Sequence, residues 1–118
     1  MIKITARQVI KKECIAKYRE LTRELVAKSQ AEEGNISYTS NQSISDERVH
    51  CFIEYWKDQA AIDTHNATEH FQRIIPQLGE MFDEPEIVDL YTEVEFSDAA
   101  DFDEGHCSNG PVSFFVDI

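Results

Sequence analysis

Apolar and polar residues alternate loosely at the start of the chain, where Ile2, Ile4, Val9 and Ile10 predict a strand over residues 2–10. From Lys12 to about Glu32 the spacing becomes helical. Ile15, Tyr18, Leu21, Leu25 and Val26 recur on one face, with Lys17, Arg19, Glu20, Arg23, Glu24 and Lys28 on the other. Gly34 reads as the helix stop. Ile36 and Tyr38 mark a short β-tolerant stretch over 35–42, and Ser43-Ile44-Ser45-Asp46-Glu47 is a polar connection. Residues 48–56 alternate most clearly. Val49, Cys51, Ile53 and Tyr55 point one way, and His50, Phe52, Glu54 and Trp56 point the other. Large apolar groups on both faces predict a central strand.

Asp58 is a suitable cap for a short helix ending near His65. Asn66 or Thr68 then caps a second helix carrying Phe71, Ile74, Ile75, Leu78 and Phe82, with a kink or restart expected at Pro76. Asp83-Glu84-Pro85 breaks the pattern, and residues 87–96 alternate again as a last strand. The order β-α-β-β-α-β is that of a ferredoxin-like α+β fold, with helices over one face of a four-stranded antiparallel sheet. Large side chains remain for the other face, and a second copy packed against it is the most economical cover, so a homodimer is expected. This predicts one domain over residues 1–96. Residues 97–118 form an acidic tail, with a solvated linker over 97–105 and a possible fifth strand over 112–116.

A chain of 118 residues with 42% hydrophobic content, seven Phe and four Tyr can build one real core. Its 23 acidic against 11 basic residues give a net charge of −12, which disfavours nucleic-acid and membrane-surface partners. Three cysteines, Cys14, Cys51 and Cys107, show no CxxC spacing and fit a reducing compartment rather than a disulfide framework. Met1-Ile2-Lys3-Ile4-Thr5-Ala6-Arg7 has no apolar leader segment, and no apolar run reaches membrane-span length, so a cytoplasmic location is expected.

Histidine is the side chain whose ordinary pKa places proton transfer near neutrality, which singles out His65 and His70. If a helix ends between them, both can face a pocket where helices meet sheet; capping or carbonyl bonding is the competing role. Trp56 and Tyr38 can wall a pocket or stack a flat substrate, although large aromatics more often fill a core. Asn35 can orient a substrate oxygen or simply complete a turn. Glu54 can act as an acid or base, but an ion pair with Arg73 or Arg48 is the favoured expectation. His50-Cys51 and His106-Cys107 offer ligand types suited to zinc. Adjacent strand residues point to opposite faces, however, and no metal is expected. The common nucleotide, zinc-protease and hydrolase motifs are absent.

Glu33-Gly34-Asn35-Ile36-Ser37-Tyr38, together with Glu54-Tyr55-Trp56, Ala61, His65, His70 and Phe71, resembles the antibiotic biosynthesis monooxygenase family. The resemblance spans residues 1–96 and implies a dimeric α+β barrel. It also implies oxidation of a small aromatic or quinol by dioxygen, with no cofactor. It favours His65 as the base. Trp56, Tyr38 and His70 are then expected to line the pocket, with Asn35 a candidate for orienting an oxygen. Haem-degrading relatives of this fold use an Asn on the first strand and a later His ligand. Here Thr5, Ala6 and Arg7 occupy the first position and Ile75 the second, which argues against haem. Two rivals stand beside the enzyme reading. One is a small-molecule binding module on the same fold, and the other is an interaction protein docking through its acidic tail.

Overall fold

The computed structural model describes residues 1–96. The acidic linker, the strand expected over 112–116, His106 and Cys107 lie outside the described residues.

Strand β1 (Ile2–Val9) pairs antiparallel with β3 (Val49–Trp56), with Ile2 opposite Trp56 and Val9 opposite Val49. Strand β2 (Asn35–Gln42) flanks β3, and β4 (Ile87–Tyr91) flanks β1, giving the order β2-β3-β1-β4. The alternation along β3 is realised: His50, Phe52, Glu54 and Trp56 are buried, while Val49, Cys51, Ile53 and Tyr55 are half-buried. Its register puts the buried set beside Ile4, Ala6 and Gln8 of β1, so one face of the sheet meets the helices. Strand β3 is central, as its two apolar faces require. The architecture is ferredoxin-like α+β.

Helix α1 (Ile15–Gln30) is preceded by a 3₁₀ turn over Lys12–Cys14, so the predicted helix starts with one tighter turn. Tyr18, Leu21 and Leu25 carry its buried face. Helix α2 (Gln59–Asn66) is capped by Asp58, whose Oδ1 accepts from the Ala61 N–H at 2.9 Å. Helix α3 (Glu69–Gly79) is capped by Thr68 rather than Asn66; Thr68 Oγ1 accepts from the Phe71 N–H at 3.2 Å. Ile74 and Leu78 are fully buried on α3, each contributing about 1.5–3 kcal/mol of hydrophobic stabilisation.

Two local expectations are corrected. Helix α3 runs through Pro76 rather than beginning anew there, and Pro76 lies on the exposed side, where the Gln72 carbonyl it leaves without a helical partner can meet water. Gly34 is not a C-cap, because α1 closes at Ala31. It is a close-approach residue. A Cβ there would collide with the Ala61 Cβ, and the Gly34 carbonyl accepts from the Lys57 N–H at 3.0 Å. That contact draws the α1–β2 connection against α2, which positions Glu32.

Candidate active site

A cavity of about 340 Å³ lies between the helix-facing side of the sheet and helices α2 and α3. Its walls are largely apolar, with Ile4, Phe52, Ile62, Phe71, Ile75 and Leu90 among them. Polar groups enter from Gln8, Glu54, His65 and Glu86. A mostly apolar hollow with a few convergent polar groups is the usual construction of a small-molecule site, and this volume is at the lower end of such sites.

His65 occupies the last turn of α2, and its side chain is only 3% exposed. Nδ1 lies 2.7 Å from Glu32 Oε2, and Nε2 of His70 lies 2.8 Å from the same oxygen. A carboxylate can only accept, so both of these ring nitrogens carry the proton. Neutral His65 is therefore the Nδ1–H tautomer, and its Nε2 lone pair is free to act as a base. Burial holds the His65 pKa below its ordinary value, against the opposing pull of Glu32. It therefore rests neutral at pH 7.

The break between the two short helices makes this convergence possible. Residues five apart on one continuous helix point roughly 140° apart around its axis. Ala67 and Thr68 interrupt the helix, and both rings turn to one carboxylate. The His65 ring lies 4.4 Å from Trp56, 5.1 Å from Phe71 and 5.6 Å from Tyr38, measured between ring centroids.

The other sequence-predicted residues divide. Tyr38 lines the cavity, and burial pushes its phenol well above the ordinary range, so it stays protonated. Trp56 is fully buried behind His65, and its Nε1–H donates to Glu54 Oε1 at 2.9 Å. His70 faces Glu32 and is not among the cavity-lining residues. Asn35 also lies apart from the lining. Its side-chain amide donates to the Ser37 carbonyl at 3.1 Å and the Tyr55 carbonyl at 3.3 Å, where the β2–β3 register slips.

The ion pair expected for Glu54 does not form. Arg73 pairs with Glu24 and Glu69, and Arg48 with Asp46 and Asp83, all on the surface, where long side chains keep their charge in water. Glu54 faces the cavity instead. Burial raises its carboxyl from 4.5 to about 7, with Glu86 and Glu32 adding to the rise and the Trp56 hydrogen bond opposing it. The unfolded chain ionises Glu54 from about pH 4.5, whereas the folded chain holds the proton until about pH 7. Its stabilising contribution is therefore full below the lower value and lost as pH rises through the upper one. Glu54→Gln is expected to stabilise the protein by roughly 2–3 kcal/mol more at pH 8 than at pH 5. Denaturant melts at the two pH values measure this directly.

His50 and Cys51 point to opposite sides of β3. His50 is buried against the Tyr18 ring, 4.8 Å between centroids, and Cys51 is half-buried on the other face. Sequence reasoning missed Glu32, Gln8 and Glu86. Gln8 accepts the Tyr18 hydroxyl proton and donates to Glu86 Oε2 at 2.6 Å, fixing one cavity wall. A buried polar position within the alternation of β1 is the signal that could have exposed Gln8.

An antiparallel β2-β3-β1-β4 sheet with a histidine-bearing cavity under its helices defines a ferredoxin-like α+β domain. The chain belongs to the antibiotic biosynthesis monooxygenase family, whose sequence model matches residues 1–77. It is 34% identical over 85 residues to the Bacillus subtilis (strain 168) protein named "Putative monooxygenase YcnE", covering 72% of this chain and 90% of that one. A crystal structure described as an antibiotic biosynthesis monooxygenase superposes with a TM-score of 0.78 at 37% identity, over 80% of this chain and all of that one. A conserved protein of Methanosarcina mazei Go1 superposes with a TM-score of 0.77 at 28% identity, over 79% and 92% of the two chains.

Proposed function

We propose that this chain is a cofactor-independent monooxygenase, oxidising a small aromatic or quinol substrate with dioxygen. The observation that supports this most strongly is a neutral histidine, His65, with one ring nitrogen tied to a carboxylate and the ring lining a largely apolar cavity. Such a base removes a phenolic or enolic proton from a bound substrate. The resulting anion gives one electron to dioxygen, and the substrate radical and superoxide combine in a new carbon–oxygen bond. Protonation gives a hydroperoxide. At a ring CH₂, loss of water then leaves a carbonyl, so one oxygen atom ends in product and the other in water. Apolar walls orient the flat substrate and exclude bulk water. Tyr38 is the wall residue closest in role to a substrate-stacking group, with Trp56 backing His65 and His70 acting through Glu32. Asn35 serves the site indirectly, by fixing the start of β2.

Turnover under ¹⁸O₂ should place a single labelled atom in the product, with the second in water. Two labelled atoms, or none, would contradict the proposed step.

The working form is proposed to be a homodimer. Ile87, Leu90, Tyr91, Val94 and Phe96 are all at least half exposed, and Val88 only slightly less so. Ile87 and Tyr91 lie on the face of β4 opposite the cavity-lining Val88 and Leu90, and exposed apolar side chains of this kind are what a second copy would cover. Light scattering is expected to return twice the 13.6 kDa mass of the chain, and a monomer would overturn the assignment. Among the described residues no helix is long and apolar enough to cross a membrane. The net charge of −12 argues against a nucleic-acid partner.

A further inference from the structure

Glu32, His65 and His70 bring three potential metal-ligating atoms within 4.8 Å of one another. Their spacing decides between two chemistries. An ion held about 2.0–2.2 Å from nitrogen and oxygen ligands keeps neighbouring donors roughly 3.0–3.4 Å apart. The 2.7 and 2.8 Å separations found here are those of charge-assisted hydrogen bonds. Hydrogen bonding accounts for this cluster without calling on a cation.

We propose that Glu32 is the positioning carboxylate of the reaction: it sets the tautomer of His65 and stabilises the imidazolium formed when His65 takes a proton from substrate. His70 is the second donor that locks Glu32 in place. This assignment rests on the reading of His65 as the base.

Three observations support it. First, Glu32 Oε2 accepts from both histidines, so the carboxylate cannot rotate away from His65 without breaking the His70 bond. Second, Glu32 comes from the α1–β2 connection, His65 from α2 and His70 from α3. Three separate elements converge on one oxygen, which capping or helix stability alone does not require. Third, the Glu32 side chain is only 12% exposed, and its other oxygen, Oε1, is buried without a hydrogen-bond partner among the described residues. Leaving a carboxylate oxygen so poorly served costs stability, which is the expected mark of a group kept for its charge.

The proton balance is complete within the site. A substrate O–H gives its proton to His65 Nε2, forming the imidazolium. The Nδ1–H remains on His65, hydrogen-bonded to the Glu32 carboxylate, and the Nε2 proton is later returned to the peroxide oxygen. Glu32 itself need not change protonation state.

Glu32→Gln is the discriminating variant, because an amide oxygen can still accept from both rings while the negative charge is lost. Nitrogen-15 NMR of the imidazoles reads the effect without any substrate. The wild-type protein should show His65 as the Nδ1–H tautomer, and its pKa should fall in Glu32→Gln. The titratable groups around His65 are His70 on α3, Tyr38 on β2 and Glu54 on β3; the titration is therefore repeated with Glu54→Gln, because burial raises that carboxyl to about 7, and the His70 imidazole is followed separately in the same spectra. With a turned-over quinol, kcat should drop on the order of 10²–10³-fold with KM little changed, and the acidic limb of the rate profile should move to lower pH. Glu32→Asp, which restores the charge one methylene short, should recover part of kcat. A His65 carrying its proton on Nε2 in the wild type overturns the proposal. So does a Glu32→Gln protein with unchanged His65 pKa and kcat. If no substrate is oxidised at all, the NMR result still decides the role of Glu32, and only the monooxygenase reading falls.

Discussion

His65→Ala should lower the rate of substrate-dependent dioxygen consumption by about 10²–10⁴-fold while leaving the protein folded. The size follows from the role. A positioned base near neutrality supplies that range of acceleration, and among the described residues that line the cavity His65 is the only imidazole. Phe71 and Tyr38 would still hold the substrate, so KM should change far less than kcat. Folding is a separate matter. Removing the ring opens a small void and leaves Glu32 with His70 as its remaining partner, a loss of about 1–3 kcal/mol. Thermal melts of the variant separate the two effects. A variant that melts near the wild type yet has lost its rate supports a chemical role. Rate loss that tracks loss of folded protein would reduce His65 to a structural group.

The largest stability effect is expected at Trp56. It is fully buried at the end of β3, pairs in register with Ile2 on one side and Asn35 on the other, and backs the His65 ring at 4.4 Å. Trp56→Ala should cost about 3–5 kcal/mol through lost burial and the cavity left behind. It also removes the indole N–H that Glu54 accepts from, leaving a buried carboxyl one donor short. Trp56→Phe separates the contributions, because it keeps most of the apolar contact and deletes only the donor. A cost of roughly 1–3 kcal/mol is expected for the lost hydrogen bond, with the Glu54 pKa rising further. Denaturant unfolding of both variants gives the comparison. Equal losses in the two would show that the indole N–H, rather than the ring, carries the stability.

Periodicity made the frame legible. The alternation over 48–56 became β3 with the predicted faces, Asp58 and Thr68 became real caps, and the gap between His65 and His70 became a real helix break. Local pattern failed where the deciding contact was long-range. Glu32 reads as one more solvated acid beside Glu33, because nothing nearby reveals that a histidine 33 residues later and another 38 residues later will turn to it. Charge complementarity in the sequence pairs Glu54 with Arg73 or Arg48, but it does not show that those arginines meet other acids on the surface while Glu54 turns to the cavity. The last strand ends at Tyr91, although alternation continues to Phe96. Pattern shows which residues suit a strand, whereas pairing requires a neighbour, and β1 supplies register partners for β4 only from Ile87 to Tyr91.

The central claim is tested most directly by dioxygen consumption with metal-stripped protein and a panel of reduced quinones and anthrones. Uptake above autoxidation, saturable in at least one substrate and proportional to enzyme concentration, is the predicted result. Uptake indistinguishable from the protein-free background across the panel, with those compounds still binding in the cavity, would contradict the monooxygenase reading and leave a small-molecule binding domain in its place.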